Sequence, residues 1–234
     1  MKSYKISDFE RLDFDDVNEI PDNMGNYIWL LKTECELPTN AKMSHNPIFK
    51  SIKWKGRYYR VAYTGKATDL YKRLVKNHLN GNAGQSTLRK SIGSLMGFSP
   101  INRTVGKNDG KTKFSPSDEA KISQWLVENM IVIYCPNDNI EEVESELIHD
   151  YDPPLNIDQN IMQNNPEYVI ELKRLRSRPA GASKIKSSIS GDNQSSLHVI
   201  FQFILEGTLK IIQKPEFWFT LFILILLFYF GLKL

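Results

Sequence analysis

From Phe217 to Leu232 the chain reads FWFTLFILILLFYFGL, sixteen positions without a single charge. A helix of that length extends about 24 Å, short of a hydrocarbon core of about 30 Å, but Glu216 and Lys233 at its ends lengthen the span by snorkelling. Trp218 and Tyr229 stand where interfacial aromatics belong, and Pro215 suits a first helical turn, where its missing N–H costs nothing. The run predicts a single transmembrane helix over residues 215–233; a buried helix of a soluble core or a partner-binding helix is the competing reading. Lys184, Lys186, Lys210 and Lys214 precede the span and only Lys233 follows it, so the N-terminal side is expected to be cytoplasmic. Just before it, LHVIFQFILEGTLKII is apolar but interrupted by Glu206 and Lys210, and predicts an amphipathic interfacial helix over 197–213.

An anchor of this kind needs a tether and a cargo. Residues 177–196 contain seven serines and no aromatic, too little apolar surface to fold alone, so a flexible linker is expected over 179–196. The cargo is then one domain of ordinary size over 20–178, preceded by an N-terminal extension over 1–19 that has no secretory signal. Cys35 and Cys135 are far apart and in no metal-ligand spacing, so neither a disulfide framework nor a zinc site is indicated.

Within the cargo, NYIWLLK (26–32), YYRVAYT (58–64) and MIVIYC (130–135) are rich in aromatic and β-branched residues and predict strands. A long Pro-containing loop joins the first two. Asp69 is placed to cap a helix carrying Leu70, Tyr71 and Leu74, and Ser86 or Thr87 one carrying Leu88, Ile92, Leu95 and Met96. Ser115, Pro116 and Asp118 open a third, and a fourth begins near Asn137 or Asp138. Few strands separated by helices predict a small α+β domain in two or three layers.

The net charge of +3 hides an uneven distribution. Residues 49–113 carry fifteen Lys or Arg against Asp69 and Asp109, whereas 114–160 carry eleven acids against Lys121. The basic stretch, interleaved with Trp54, Tyr58, Tyr59, Tyr63 and Tyr71, suits a polyanion, and equally a solvated surface whose charges pair across the fold. Along the fourth helix, at about 100° per residue from Ile140, Glu144 falls at about 40°, inside the stripe formed by Val143, Leu147, Ile148 and Tyr151. One carboxylate of that helix is thus aimed inward, where it requires a cation: a lysine of the core rim, or a metal.

Taken in order, several residues resemble the GIY-YIG endonuclease family. Gly25-Asn26-Tyr27-Ile28 stands for the first tyrosine motif and Tyr63-Thr64-Gly65 for the second, followed by Lys66, Arg73 in DLYKRL, Glu144 in ESELI and Asn156 in YDPPLN. The run NAGQSTLRKSIGSLMG (82–97) is similar to a bacterial branch of that family. Three departures stand out. Asn26 and Thr64 replace the usual motif letters, and the long separation of Tyr27 from Tyr63 points to an insertion near 35–55. Where family members place an aromatic or histidine one turn after the arginine, this chain has Asn77, with His78 beside it.

The resemblance implies a central three-stranded antiparallel sheet flanked by helices, and an endonuclease that hydrolyses phosphodiester bonds in DNA. It implies catalytic roles for Tyr27, Tyr63, Lys66, Arg73, His78, Glu144 and Asn156. Glu144 would hold one Mg²⁺ or Mn²⁺ ion, Arg73 would face the phosphoryl oxygens, and Tyr27 or Tyr63 would orient or deprotonate the attacking water. A phenol of ordinary pKa near 10 is a weak base, so Lys66 or Arg73 would have to favour the phenolate. Lys53, Lys55, Arg57, Arg60, Arg89 and Lys90 are the candidates for phosphate contact. Joined to the C-terminal span, these expectations describe a nuclease held at the bilayer, with incoming phage DNA as one target. A decayed module that binds DNA or a protein at the membrane, and a restriction or mobile-element endonuclease, remain alternatives.

Overall fold

The computed structural model describes residues 2–104, 111–157 and 164–181. The chain divides into two units, residues 1–187 and 188–234. The expected interfacial helix, the transmembrane helix and all but the first residues of the linker lie outside the described residues. Among the described residues no helix is long and apolar enough to cross a membrane.

The strands of the first unit are β1 (Glu10–Arg11), β2 (Gly25–Leu31), β3 (Ser51–Trp54), β4 (Arg57–Ala67), β5 (Ile101–Asn102), β6 (Thr112–Lys113) and β7 (Met130–Pro136). A π-helix spans Lys72–Leu79, and the α-helices are α1 (Thr87–Leu95), α2 (Pro116–Asn129), α3 (Ile140–Tyr151) and α4 (Pro166–Arg176). One antiparallel sheet has the order β1-β7-β2-β4-β3, and β5 pairs with β6 apart from it.

The three strong strands read from sequence are the middle of this sheet. β2 is buried at all seven positions because it has neighbours on both edges and helices on both faces, hence its continuous apolar run. The sheet nevertheless has five strands where three were expected. β3 is short but alternates, with Ile52 and Trp54 inward and Ser51 and Lys53 outward, and it comes from the inserted segment. β1 is two residues long and carries almost no pattern, yet it pairs with β7 and is flanked by buried Phe9 and Leu12. The folded unit therefore begins within the segment expected to be an extension.

Each face of the sheet has its own core. Tyr27, Trp29 and Leu31 meet Leu70 just before the π-helix and Leu74 within it, Leu88 and Ile92 of α1, Ile122 and Leu126 of α2, and Val169 and Leu172 of α4. On the other face Ile28, Leu30, Val61, Ile131 and Ile133 pack against Val143 and Leu147 of α3 and against Phe9. The architecture is α+β in three layers.

Local signals place the helices well. Asp69 Oδ1 accepts from the Lys72 amide at 2.7 Å, Ser86 Oγ from Arg89 at 3.1 Å, and Ser115 Oγ from Asp118 at 3.2 Å with Pro116 at the first position. α3 begins at Ile140, two or three residues beyond the expected start. α4 had no counterpart in the sequence reading.

Two features of β4 prepare the site. Its pairing with β2 slips between Trp29 and Leu30, which face Tyr63 and Val61, so a bulge places Tyr63 on the Tyr27 face. And β3 covers only Arg57 to Arg60, leaving the later half of β4 with an open edge. Residues 155–156 take that edge: the Leu155 amide donates to the Ala62 carbonyl at 3.1 Å, and Asn156 bonds both backbone groups of Thr64.

Candidate active site

Tyr27 lies across Gly65, its partner in the β2–β4 register. A Cβ at Gly65 would collide with the phenol ring and hydroxyl of Tyr27, so the glycine of the second motif is needed for the tyrosine of the first to lie flat on the sheet. Tyr27 is fully buried. Its hydroxyl accepts from Arg73 Nε at 3.0 Å and meets His78 Nε2 at 2.9 Å.

The π-helix explains why both reach it. Its wider turn bonds each amide to the carbonyl five residues back, as Asn80 does to Val75 at 2.9 Å, so Arg73 and His78 share one face. With α-helical spacing Asn77 would hold that place. Burial, together with the charges of Arg73 and Arg89, holds the His78 pKa well below its ordinary value, so the ring is neutral. In the neutral ring one nitrogen donates and the other accepts: Tyr27 O–H donating to Nε2 goes with Nδ1–H donating to Ser86 Oγ, 2.7 Å away, and the other tautomer reverses both. The rings of Tyr27, Trp29 and Tyr63 surround the imidazole with centroids 5.3, 5.7 and 6.0 Å away.

Beside this core lies a cleft of about 180 Å³ lined by Tyr63, Arg73, Thr87, Glu144, Leu155, Asn156, Ile157 and Arg176. Tyr63 reaches it from the sheet, its hydroxyl 2.9 Å from Thr87 Oγ1 at the start of α1. Arg73 is held over it by Tyr27 and by a bond from Nη1 to the Gln85 carbonyl at 3.1 Å. Burial opposes the Arg73 charge, but the phenol oxygens of Tyr27 and Tyr63 outweigh it and the guanidinium pKa is raised. Glu144 comes from α3 on the far side of the sheet and is 8 % exposed. Its Oε2 pairs with Lys66 Nζ at 3.0 Å, and Lys66 also pairs with Glu141. Asn156 accepts from the Thr64 amide at 2.8 Å and donates to the Thr64 carbonyl at 2.8 Å, standing in for the missing strand beside Tyr63.

A family model described as the GIY-YIG catalytic domain matches residues 25–178. The chain belongs to the GIY-YIG family. It is accordingly an endonuclease, a phosphodiester hydrolase whose domain points to DNA as substrate and to dependence on a divalent metal. The match begins at the first residue of β2 and leaves out β1. No curated protein and no solved structure matches the chain.

Measured against the expectations for a GIY-YIG site, Tyr63, Arg73, Glu144 and Asn156 line one cleft. Tyr27 and His78 lie behind it, and the full burial of Tyr27 pushes its pKa far up. Lys66 makes no hydrogen bond to either phenol; it is engaged by Glu141 and Glu144, which raise its pKa.

Two of the phosphate-contact candidates are corrected. Arg89 is fully buried: Nε and Nη2 bond Glu119 Oε2 at 3.0 and 2.9 Å, and Nη1 donates to the carbonyls of His78 and Leu79, both at 2.9 Å. It closes the end of the π-helix because those last carbonyls have no helical partner. Arg60 donates to Glu36 Oε1 at 2.9 Å and to the carbonyls of Lys32, Thr33 and Cys35, fixing the turn after β2. Lys53, Lys55 and Arg57 are exposed on the β3–β4 hairpin, where Lys53 covers Tyr58 and Lys55 covers Trp54. Lys90 is half-buried on α1.

Sequence reasoning missed Thr87 and Arg176 as cleft residues. Thr87 sat in a recognised cap pair, but only the bulge at Tyr63 brings a hydroxyl to it. Arg176 stands in a run of basic residues, LKRLR, that gives no sign of which one turns inward.

Proposed function

We propose that this chain is a membrane-tethered, divalent-metal-dependent DNA endonuclease that cuts DNA close to the bilayer, foreign DNA such as that of an entering phage being a natural target. The observation that carries the catalytic part is the convergence of Tyr63, Arg73, Glu144 and Asn156 on one cleft from four separate elements. The uncharged run Phe217 to Leu232, with lysines mainly before it, supports the anchor and a cytoplasmic nuclease domain. The 82–97 run supports placement in a bacterial branch of the family.

The residues fit a hard ion. Among the described residues no group of three or more His, Cys, Asp or Glu gathers, so the ion would keep most of its waters and bind through the single carboxylate of Glu144, as suits Mg²⁺ or Mn²⁺. Lys66, the core-rim lysine that is the alternative partner of this carboxylate, places Nζ 3.0 Å from Oε2, so an ion would share Glu144 with Lys66 or displace it. When bound, the ion supplies Lewis-acid stabilisation of a departing oxygen.

The protein's own groups account for the rest. Arg73, fixed in direction by Tyr27 and Gln85, offers guanidinium donors to the phosphoryl oxygens, whose charge grows as water adds to phosphorus and the ester P–O bond breaks. Because its orientation is set beforehand, little reorganisation is needed at the transition state. Tyr63, the one phenol of the cleft lining among the described residues, orients the attacking water, with Thr87 fixing its hydroxyl. Asn156 holds the β4 backbone that carries Tyr63.

Full-length protein purified in detergent is expected to cut plasmid DNA with Mg²⁺, and Glu144→Ala to abolish cutting. Equal activity of the two proteins would remove this site from catalysis. Extraction of membranes at high pH tests the anchor: release of the chain into the wash would exclude a spanning helix.

A further inference from the structure

Asn26 is a departure within the first tyrosine motif, and it is fully buried. Alternation along β2 turns Tyr27 to one face of the sheet and Asn26 to the other, with Ile28 and Leu30, which pack against Val143 and Leu147 of α3. Both polar atoms of its side chain are engaged there. Nδ2 donates to the Ile140 carbonyl at 2.9 Å and lies 3.5 Å from the Gly65 carbonyl, and Oδ1 accepts from Asn137 Nδ2 at 2.8 Å. Ile140 is the first residue of α3, and its carbonyl is the one that accepts the Glu144 amide in the helical ladder. Asn26 thus holds the peptide group to which the backbone of Glu144 is bonded. The start of α3 has no side-chain cap of its own, since Asn139 makes no capping bond.

Lys66 stands opposite Asn26 in the β2–β4 register and holds the same turn of α3 through Glu141 and Glu144. The two holds differ in kind. Lys66 is a charged partner, and a cation at Glu144 would share the carboxylate with it or displace it, whereas the amide bonds of Asn26 are neutral and persist in either case. An aliphatic residue at this place would pack against α3 but donate nothing to it. We propose that Asn26 is a positioning residue of the nuclease site: through the Ile140 carbonyl it fixes the first turn of α3 and so sets Glu144 at the cleft. The proposal rests on the reading of that cleft as the nuclease site. A displacement of about 1 Å in a catalytic group lowers the rate by up to about 10²-fold. Contacts to the rest of the DNA do not pass through Asn26, so its loss falls on kcat and on the ion rather than on KM for DNA.

The test uses the full-length protein in detergent, at a temperature where each variant is folded. Asn26→Leu, close in volume but without hydrogen bonds, is expected to lower kcat about tenfold and to leave KM for duplex DNA within about twofold. The half-saturating Mg²⁺ concentration should rise severalfold, and Mn²⁺ binding without DNA, followed by electron paramagnetic resonance, should weaken in step. Amide hydrogen exchange should quicken in the first turn of α3 and stay unchanged in β7 and α1, because the loss is local. Asn137→Ala should move each quantity the same way by less, and adding it to Asn26→Leu should do no further harm. If Asn26→Leu does not fold, Asn26→Asp keeps the acceptor for Asn137, loses the donor to Ile140 and carries the same expectation. Unchanged kcat and Mg²⁺ dependence, or exchange that quickens evenly through the domain, overturns the proposal. If the unaltered protein cuts no DNA in any divalent metal, the reading of the cleft fails instead, and hydrogen exchange in α3 still decides whether Asn26 sets that helix.

Discussion

Arg73 and His78, five residues apart on one π-helix, both bond the hydroxyl of Tyr27, at 3.0 and 2.9 Å. One lies at the cleft and the other is fully enclosed, so the buried phenol joins the reactive face of the domain to its core. This division of labour between the two motif tyrosines leads to the first prediction.

Tyr63→Phe removes a hydroxyl facing the cleft and should lower cleavage about 10²- to 10⁴-fold while changing stability by no more than about 1 kcal/mol. Tyr27→Phe leaves Arg73 Nε and His78 Nε2 without their buried partner and should cost about 1–3 kcal/mol of stability along with activity. Denaturant melts and single-turnover cleavage of the two variants check this. Equal destabilisation by both would contradict the assignment.

His78 predicts a pH dependence. Its folded pKa lies well below the ordinary 6.5, so the unfolded chain takes up a proton there that the folded chain refuses. Its contribution to stability is complete above about pH 6.5 and is lost progressively as the pH falls below that value towards the lowered folded one. Urea melts between about pH 7 and 5 should show decreasing stability on acidification, and His78→Asn should flatten that slope. A slope unaltered by the substitution would exclude His78 as its source.

Arg89 and Glu119 form a structural pair. Arg89→Ala should cost about 3–5 kcal/mol, because Glu119 is left charged in a buried place and the end of the π-helix loses its donors. Arg89→Met combined with Glu119→Leu should be less damaging than Arg89→Ala alone. Thermal melts of the three proteins decide the point, and a neutral Arg89→Ala would return this arginine to the list of surface phosphate contacts.

Asn156→Asp keeps the acceptor for the Thr64 amide but replaces the donor to the Thr64 carbonyl with a second acceptor. The expected result is a loss of roughly 2 kcal/mol and a cleavage defect that exceeds the fraction unfolded, since the strand carrying Tyr63 is no longer fixed. Activity at full folding, measured at low temperature, distinguishes the two effects; wild-type activity there would show that the clamp serves stability alone.

What could be read from the chain alone was whatever is encoded locally or by period. Apolar runs marked β2, β4 and β7, side-chain caps marked the helix starts, and the position of Glu144 within the α3 stripe turned one glutamate of four inward. The short edge strands β1 and β3 escaped because two to four residues carry little pattern, and they are defined by their neighbours rather than by themselves. The fate of each cation was equally invisible. Arg60, Arg89, Lys90 and Arg176 have the same chemistry in sequence, and packing alone tied the first to a turn, buried the second against Glu119 and brought the last two to one seam between α1 and α4. Only the fold could put Tyr63 rather than Tyr27 at the cleft, since a one-residue bulge and the wider turn of a π-helix decide which hydroxyl faces it, and neither changes any local propensity.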